Sequence, residues 1–170
     1  MSAVLESNAW LEATVLGFLW RQFTRPQPLP ANIYLRDQVV IITRSNEFPE
    51  STISVWTIDL ESYTSTRAFA EQCATLPRID IVILNAGLAK PSYAPVPETG
   101  YEVTLQVSYL STALLGILLL PILRAQKVTN APRPPVLTIM GSGMMHPADI
   151  EVKGEVLQQF NRPQAFSQFP

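Results

Sequence analysis

The stretch RIDIVILNAG, residues 78–87, contains the clearest strand of this 170-residue chain. Its apolar residues, Ile79 and 81–84, form a nearly continuous run interrupted only by Asp80. Such a run is typical of a parallel strand that other elements cover on both faces. It ends in Asn85, Ala86 and Gly87, so the sequence predicts a buried strand followed by a turn.

Strands and helices alternate on both sides of this strand. Three further strands are predicted, at residues 38–43, 53–60 and 136–142. A helix capped by Ser62, Thr64 or Ser65 is predicted before Pro77, and a long helix begins at Glu98 and runs to Leu123. This order predicts an α/β domain with a parallel sheet and right-handed crossovers.

Both predicted helices have an apolar face. In the first, Phe69, Cys73 and Leu76 recur at steps of four and three. In the second, the same spacing selects one face, made of Val103, Val107, Leu110, Leu114 and Ile117. We therefore expect Cys73 to be a core residue.

The chain divides into three predicted parts. Residues 1–30 contain an amphipathic helix and a proline-rich connector, 31–147 form the α/β domain, and 148–170 are a polar tail. The apolar N-terminal stretch is interrupted by Glu12 and is shorter than a bilayer span, which needs roughly 20 residues. The apolar stretch 105–123 is diluted by polar residues, so we expect a buried or interface helix and no membrane span.

The composition excludes several classes of function. A net charge of −2 offers no basic surface for nucleic acid. One cysteine and one histidine, His146, do not build a usual zinc site. A single cysteine suits a reducing compartment, so we expect a cytoplasmic protein.

Three segments together resemble the short-chain dehydrogenase/reductase family, closest to its fungal branch that acts on small molecules. They are TIDLESYTSTRAFAEQC, RIDIVILNAGLA and VTLQVSYLSTALLGILLLPIL, which lie in this order within residues 31–147. The resemblance implies an incomplete Rossmann-type parallel sheet with flanking helices. It also implies NADP as the cofactor, with NAD as an alternative, and a small-molecule substrate.

The resemblance assigns roles to individual residues. Asp59 and Leu60 match the pair beside the adenine ring, and Asn85, Ala86 and Gly87 match the turn against the cofactor ribose. At Gly87, glycine is expected to permit a backbone angle that a Cβ would forbid. Ser142 matches the serine that polarises the substrate carbonyl. The alternative for Asp59, Asn85 and Ser142 is that such strand-end side chains satisfy loop amides.

The chain also departs from the family pattern. No glycine lies between Gly17 and Gly87, so the glycine-rich turn after the first strand is absent, with the helix and most of the strand that should follow. Ser108 replaces the helix asparagine of the proton relay, and no Tyr-x-x-x-Lys segment follows the last strand. Arg44 is either the contact to the 2′-phosphate of NADP or an ordinary surface arginine.

Two functions remain open at this point. One is an NADP(H)-dependent oxidoreductase that acts on the carbonyl or alcohol of a small hydrophobic metabolite. The other is a non-catalytic remnant of such an enzyme that binds protein, as a homo- or hetero-oligomer through the 98–123 helix.

Overall fold

In a computed structural model of the protein, a parallel sheet of three strands forms the centre of the described part of the chain. The strands are β1 (Val40–Ile42), β2 (Ile81–Leu84) and β3 (Val136–Ile139), hydrogen-bonded in the order β1-β2-β3. Val40 lies opposite Ile81, and Ile81 lies opposite Val136. The β-branched residues of these runs suit a pleated and partly buried surface. The predicted α/β fold with an incomplete parallel sheet is confirmed.

The structure describes residues 14, 38–43, 54–126, 133–141 and 155–163. The chain separates into two units, residues 1–36 with 141–152 and residues 37–140 with 153–170, and nearly all described residues belong to the second. The predicted helix and connector of residues 1–30 therefore lie outside the described residues, apart from Thr14. Arg44 and Ser142 lie outside them too.

Helix α1 (Tyr63–Ala74) begins where the sequence predicts. Its N-cap is Ser62, whose hydroxyl accepts a hydrogen bond from the Ser65 amide at 3.4 Å. Phe69 and Cys73 are buried in the core, which confirms the predicted apolar face. Burial raises the pKa of the Cys73 thiol to about 11, against a smaller lowering by a backbone hydrogen bond. The thiol is therefore protonated at neutral pH and inert.

The long helix has three parts: α2 (Val103–Leu105), a π-helical segment (Gln106–Ser111) and α3 (Thr112–Ala125). It begins at Val103, after the N-cap Glu102, so the predicted start at Glu98 is wrong. Residues 97–99 form a turn instead, followed by Gly100 at φ 72°, a left-handed conformation that favours glycine.

The π-helical segment also changes the buried face of this helix. Val103 and Val107 are buried as predicted, but Ile117 on the predicted face is 65% exposed. The buried positions continue in steps of four, at Ser111, Leu115, Leu119 and Leu123. A π-helical turn holds more residues than an α-helical turn, so the segment shifts the face that follows it.

Helices α1 and α3 cover one face of the sheet. Ile41, Val82 and Leu84 are buried on that face, in one core cluster with side chains of both helices. Ile81 and Ile83, which point to the other face, are only half-buried. The prediction that other elements cover this strand on both faces is therefore wrong for the described part of the chain.

The predicted strand over residues 53–60 is wrong within the described residues. Residues 54–59 adopt no regular secondary structure, and Leu60 begins a turn. Side chains still alternate there, because Trp56 and Ile58 pack against the core while Val55 is 89% exposed. A strand needs a neighbouring backbone for its ladder, and β1, the nearest strand along the chain, pairs only with β2 among the described strands.

The predicted polar tail contributes a short helix, α4 (Val156–Phe160). Asn161 follows it and contacts the loop before α2. Its side-chain oxygen accepts from the Glu102 amide at 2.7 Å, and its side-chain nitrogen donates to the Gly100 carbonyl at 3.2 Å. These bonds hold the end of the loop that leads into the long helix.

Within the described residues, the stretch Val103–Ala125 is long and apolar enough to cross a membrane. Only its length and composition support a membrane span, and 44% of its most apolar 18 residues are buried in the protein. Leu115 and Leu119 pack in the core, while Gln106 and Ser111 are fully buried and hydrogen-bonded. Its apolar character therefore has an explanation in the packing of the fold.

Asp80 fixes the beginning of the sheet, at the end opposite the predicted site. Its Oδ2 accepts from the Val39 amide at 2.8 Å, and its Oδ1 accepts from the Arg78 guanidinium. Burial acts to raise the pKa of this carboxyl group. The hydrogen bonds from Arg78 and Val39 and the charge of Arg78 outweigh burial, and the pKa is lower than usual.

We expect Asp80→Asn to lower the free energy of unfolding by about 1–3 kcal/mol at pH 7, because a charge-assisted acceptor is lost. The lowered pKa in the folded state means that the carboxylate stabilises the fold above its unfolded pKa, near 3.9. This stabilisation is lost as the pH falls through the folded pKa. Urea unfolding of both proteins across acidic to neutral pH measures the difference.

The control is Glu71→Gln, which removes an exposed carboxylate from α1. We expect it to leave the unfolding free energy nearly unchanged at every pH. A gap between the wild-type protein and Asp80→Asn that stays constant into strong acid would contradict the assignment to this ionised group.

Candidate functional site

The carboxyl ends of β1 and β2 are joined by one side chain. Thr43 follows β1, is almost fully buried, and its hydroxyl oxygen accepts from the amides of Asn85 at 2.9 Å and Ala86 at 3.0 Å. Its own amide donates to the Ile83 carbonyl at 3.1 Å, which continues the ladder. Thr43 therefore holds the turn that follows β2 against the end of β1.

Asp59 and Leu60 form a corner before helix α1. The Asp59 carboxylate accepts through Oδ1 from the Glu61 amide at 2.9 Å, a local turn in which this residue type commonly takes part. Its own amide donates to the Ser65 hydroxyl at 2.9 Å. The Asp59 side chain is exposed, whereas Leu60 is buried. The alternative role for Asp59, satisfying a loop amide, is thus present in the structure and uses one carboxylate oxygen.

These two regions border an open cavity of about 390 Å³, which we call the carboxyl-end groove. Its lining combines an apolar floor with a polar rim. The floor residues are Ile58, Leu60, Ala86, Gly87, Leu88 and Val107, and the rim residues are Thr43, Asp59 and Glu61. Ligands of parallel α/β sheets bind outside the carboxyl ends of the strands, which is where this groove lies.

The charges of the groove limit its ligands. Among the described lining residues, the only charged side chains are the carboxylates of Asp59 and Glu61. Such a rim disfavours a phosphate group and favours a neutral ring that donates a hydrogen bond. The apolar floor suits the faces of that ring.

A chain of hydrogen bonds between side chains ends at the carbonyl of Leu60 and holds this residue in place. The Thr99 hydroxyl donates to the Gln106 side-chain oxygen at 3.0 Å, and the Gln106 side-chain nitrogen donates to the Ser111 hydroxyl at 2.9 Å. Ser111 in turn donates to the Leu60 carbonyl at 2.6 Å. Gln106 and Ser111 begin and end the π-helical segment, so this segment fixes the position of the groove floor.

Ser108, at the helix position of the proton relay, contacts the loop after the turn. Its hydroxyl donates to the Leu88 carbonyl at 3.0 Å and accepts from the Leu88 amide at 3.2 Å. Both groups belong to one residue, so Ser108 holds the loop that follows Gly87. The structure thus shows a positioning contact for Ser108 to the loop beside the groove.

Gly87 does not have the backbone angle that the sequence predicts for it. Among the described glycines only Gly100 has a positive φ. A Cβ built on Gly87 would lie 3.5 Å from the Ser108 hydroxyl oxygen, an ordinary contact distance. The expectation of a forbidden angle at Gly87 is therefore wrong, and the turn is held by Thr43 and Ser108 instead.

The structure brings most of the predicted cofactor residues together. Asp59, Leu60, Ala86 and Gly87 line one groove, and the exposed Asn85 lies beside it in the turn. Sequence reasoning missed Thr43, which contacts this turn and lines the groove. Thr43 could have been found in the sequence, because it is a polar residue at the end of an otherwise apolar strand.

We expect Thr43→Val to destabilise the fold by roughly 1–3 kcal/mol, because two hydrogen bonds to amides in the turn are lost, at about 0.5–1.5 kcal/mol each. Valine matches the shape of threonine, so packing changes little. Thr43→Ser keeps the hydroxyl and is the matched control, with a smaller loss. Urea unfolding monitored by circular dichroism measures all three proteins, and equal losses in the two variants would assign the effect to packing.

Comparison with known proteins finds fungal relatives. The chain is 49% identical to the short chain dehydrogenase virL of Hypocrea virens over 207 aligned residues, which cover 99% of this chain and 61% of the relative. It is 40% identical to the short chain dehydrogenase opdN of Penicillium oxalicum, covering 99% of this chain and 69% of the relative. A third, the short chain dehydrogenase/reductase mfmJ of Annulohypoxylon moriforme, is 43% identical over 68% of this chain and 34% of its own length.

No family model matches the chain, and no solved structure matches it. The chain spans about three-fifths of the length of the Hypocrea relative. The chain belongs to the short-chain dehydrogenase/reductase family.

Proposed function

We propose that this protein binds the adenosine half of NADP(H) in the carboxyl-end groove. The observation that carries this proposal is the convergence of Asp59, Leu60, Ala86 and Gly87 on one cavity. The apolar floor contacts the ring faces of adenine, and the Asp59 carboxylate accepts a hydrogen bond from its exocyclic amine. Oδ1 of Asp59 is used by the Glu61 amide, which leaves Oδ2 for the ligand.

The reaction that we propose follows from the family of the relatives. It is hydride transfer between the nicotinamide cofactor and a carbonyl or alcohol of a small hydrophobic metabolite. The cofactor supplies the hydride chemistry, and this chain binds and orients it. Ser142, after the last strand, is proposed to donate a hydrogen bond to the substrate carbonyl, and Ser108 to position the loop beside the cofactor.

Residues 1–170 do not include the proton donor that we propose for the reaction. The family places it in a Tyr-x-x-x-Lys segment after the last strand, and residues 1–170 contain no such segment. General acid catalysis typically increases the reaction rate by about 10²–10⁴-fold, so the rate of the complete enzyme depends on where the proton comes from. The preference for NADP over NAD rests on Arg44 as the 2′-phosphate contact, and titration with NADPH and NADH compares the two.

We expect Asp59→Asn to abolish discrimination between adenine and hypoxanthine nucleotides. Asparagine keeps an oxygen for the Glu61 amide and replaces the second oxygen with a donor. The wild-type protein should bind NADPH about tenfold more tightly than its hypoxanthine analogue, because one charge-assisted hydrogen bond is lost in the analogue. Calorimetry with both nucleotides measures this ratio.

Glu71→Gln is the control for this experiment, since it also removes one exposed carboxylate but lies on α1 outside the groove. It should keep the preference for adenine. Two results would contradict the proposal: no nucleotide binding by the folded wild-type protein, or the same preference in Asp59→Asn as in the wild type.

A second candidate function is that of an interaction subunit. Its support is the outer side of the long helix, where Tyr109, Ile117 and Leu120 are 59%, 65% and 56% exposed. Large exposed apolar side chains on one helix are typical of a protein interface. We propose that this face joins copies of the chain, or this chain and a related one, into an oligomer.

We expect Ile117→Glu to dissociate such an oligomer, because a carboxylate at its centre would lose water without gaining a partner. Sedimentation velocity of the wild type and the variant measures the mass of each. Arg124→Glu is the control, an exposed residue at the last turn of α3 that should leave the oligomer intact. A wild-type protein that sediments as a monomer at all concentrations would contradict this candidate function.

A further inference from the structure

A second cavity runs along the side of β1 that faces away from β2. Its volume is about 330 Å³, and we call it the edge trough. Three parts of the chain line it: residues 38–43, the segment 54–58, and helix α1 with Leu76 after its end. Its lining side chains include Thr43, Trp56, Ile58, Phe69 and Leu76.

The backbone of β1 presents hydrogen-bonding groups to the edge trough. The Val39 carbonyl accepts from Ile81 and the Thr43 amide donates to Ile83, so alternate residues of β1 pair with β2. In a parallel ladder the N–H and C=O of one residue point to the same side. The N–H and C=O groups of Val40 and Ile42 therefore point away from β2, where no described strand pairs with them.

The opposite wall and the floor suit an apolar strand. Trp56 and Ile58 pack against the core from a segment that has no regular secondary structure and forms no ladder. Trp56 meets Phe69 edge to face, with ring centroids 6.0 Å apart. Among the described lining residues there is no Asp, Glu, Lys or Arg, so an occupant finds no partner for a charged side chain.

The relatives carry residues that have no counterpart in this chain. The alignment with the Hypocrea relative covers 207 positions, whereas the whole chain has 170 residues, so at least 37 positions of the relative have no counterpart here. Only ten residues, 44–53, separate the end of the β1 region from the segment 54–58 on the far wall. The edge trough lies between these two walls.

We propose that the edge trough binds one extended, uncharged apolar strand of another polypeptide, which adds to the outer edge of β1. The strand corresponds to part of the residues that the relatives carry and this chain lacks. Main-chain hydrogen bonds to Val40 and Ile42 provide affinity, and side chains against Trp56 and Ile58 provide selectivity. Thr43 and Ile58 line both cavities, so the added strand borders the carboxyl-end groove.

Short overlapping synthetic peptides, labelled with fluorescein, test the proposal. They cover the positions of the Hypocrea relative that have no counterpart in this chain, and fluorescence anisotropy measures their binding to the full chain without nucleotide. We expect one peptide to bind and its scrambled version not to bind. The result is independent of the proposed function, because the assay contains no cofactor.

A proline substitution assigns the binding to the edge of β1. Ile42→Pro removes an amide that points away from β2 and leaves the ladder between β1 and β2 intact, which an edge strand tolerates. We expect at least about tenfold weaker peptide binding, since one main-chain bond is lost and the edge is blocked. A cooperative thermal melt confirms that the variant is folded.

The matched control is Ile139→Pro, on the other edge of the sheet. The amides of Val136 and Met140 donate to β2, so the Ile139 amide points away from it, and its side chain is also exposed. This variant should bind the peptide like the wild type, and so should Val55→Lys, which changes an exposed residue beside the trough. If Ile42→Pro does not fold, Ile42→Lys replaces it. This variant places a charge at the same edge, and we expect the same weakening of peptide binding.

Three results would overturn the proposal. The first is that no peptide binds the folded wild-type protein at high micromolar concentration. The second is that Ile42→Pro and Ile139→Pro weaken binding equally. The third is a wild-type dimer that Ile42→Pro dissociates, because a second copy of this chain would then occupy the edge of β1.

Discussion

The candidate site depends on the Thr43 hydroxyl, which accepts hydrogen bonds from two consecutive amides at the end of the neighbouring strand. A strand pair fixes the relative position of its own residues, but the turn beyond it needs a separate constraint. Thr43 supplies this constraint from a nearly fully buried position, where an unpaired amide is costly. The floor of the carboxyl-end groove follows from it, because Ala86 and Gly87 are held beside the end of β1.

The second constraint is the π-helical segment Gln106–Ser111. It contributes two buried polar side chains, Gln106 and Ser111, and Ser111 donates to the carbonyl of Leu60 in the groove floor. A regular α-helix with the predicted 4-3 spacing would direct Leu110 and Leu114 to the core. The extra residue per turn directs Ser111 and Leu115 there instead. Segments of this kind are frequent at functional sites, and here the segment supports the residue pair that the family resemblance connects with adenine.

Much of the fold could be predicted because its signals are local. The apolar run that contains β2, the Ser62 cap and the apolar face of α1 each depend on residues close in sequence. The predicted strand over 53–60 failed because alternation describes only the side chains, whereas a strand also needs a neighbouring backbone. Trp56 and Ile58 do point inward, yet no ladder forms. Within the described residues, the expected coverage of β2 on both faces failed for a related reason, since a run of apolar residues does not show which helices the chain provides.

The sequence by itself determined the order of the elements, the family, and the identity of four residues that line the carboxyl-end groove. These depend on residue type and on position along the chain. The tertiary structure alone decided that Thr43 holds the turn, that Ser108 binds Leu88 across 20 residues, and that no described strand pairs with β1 on the side of the edge trough. Such features join residues that are distant in sequence, and a hydrogen bond or an unpaired backbone edge is defined only when both sides are placed in space.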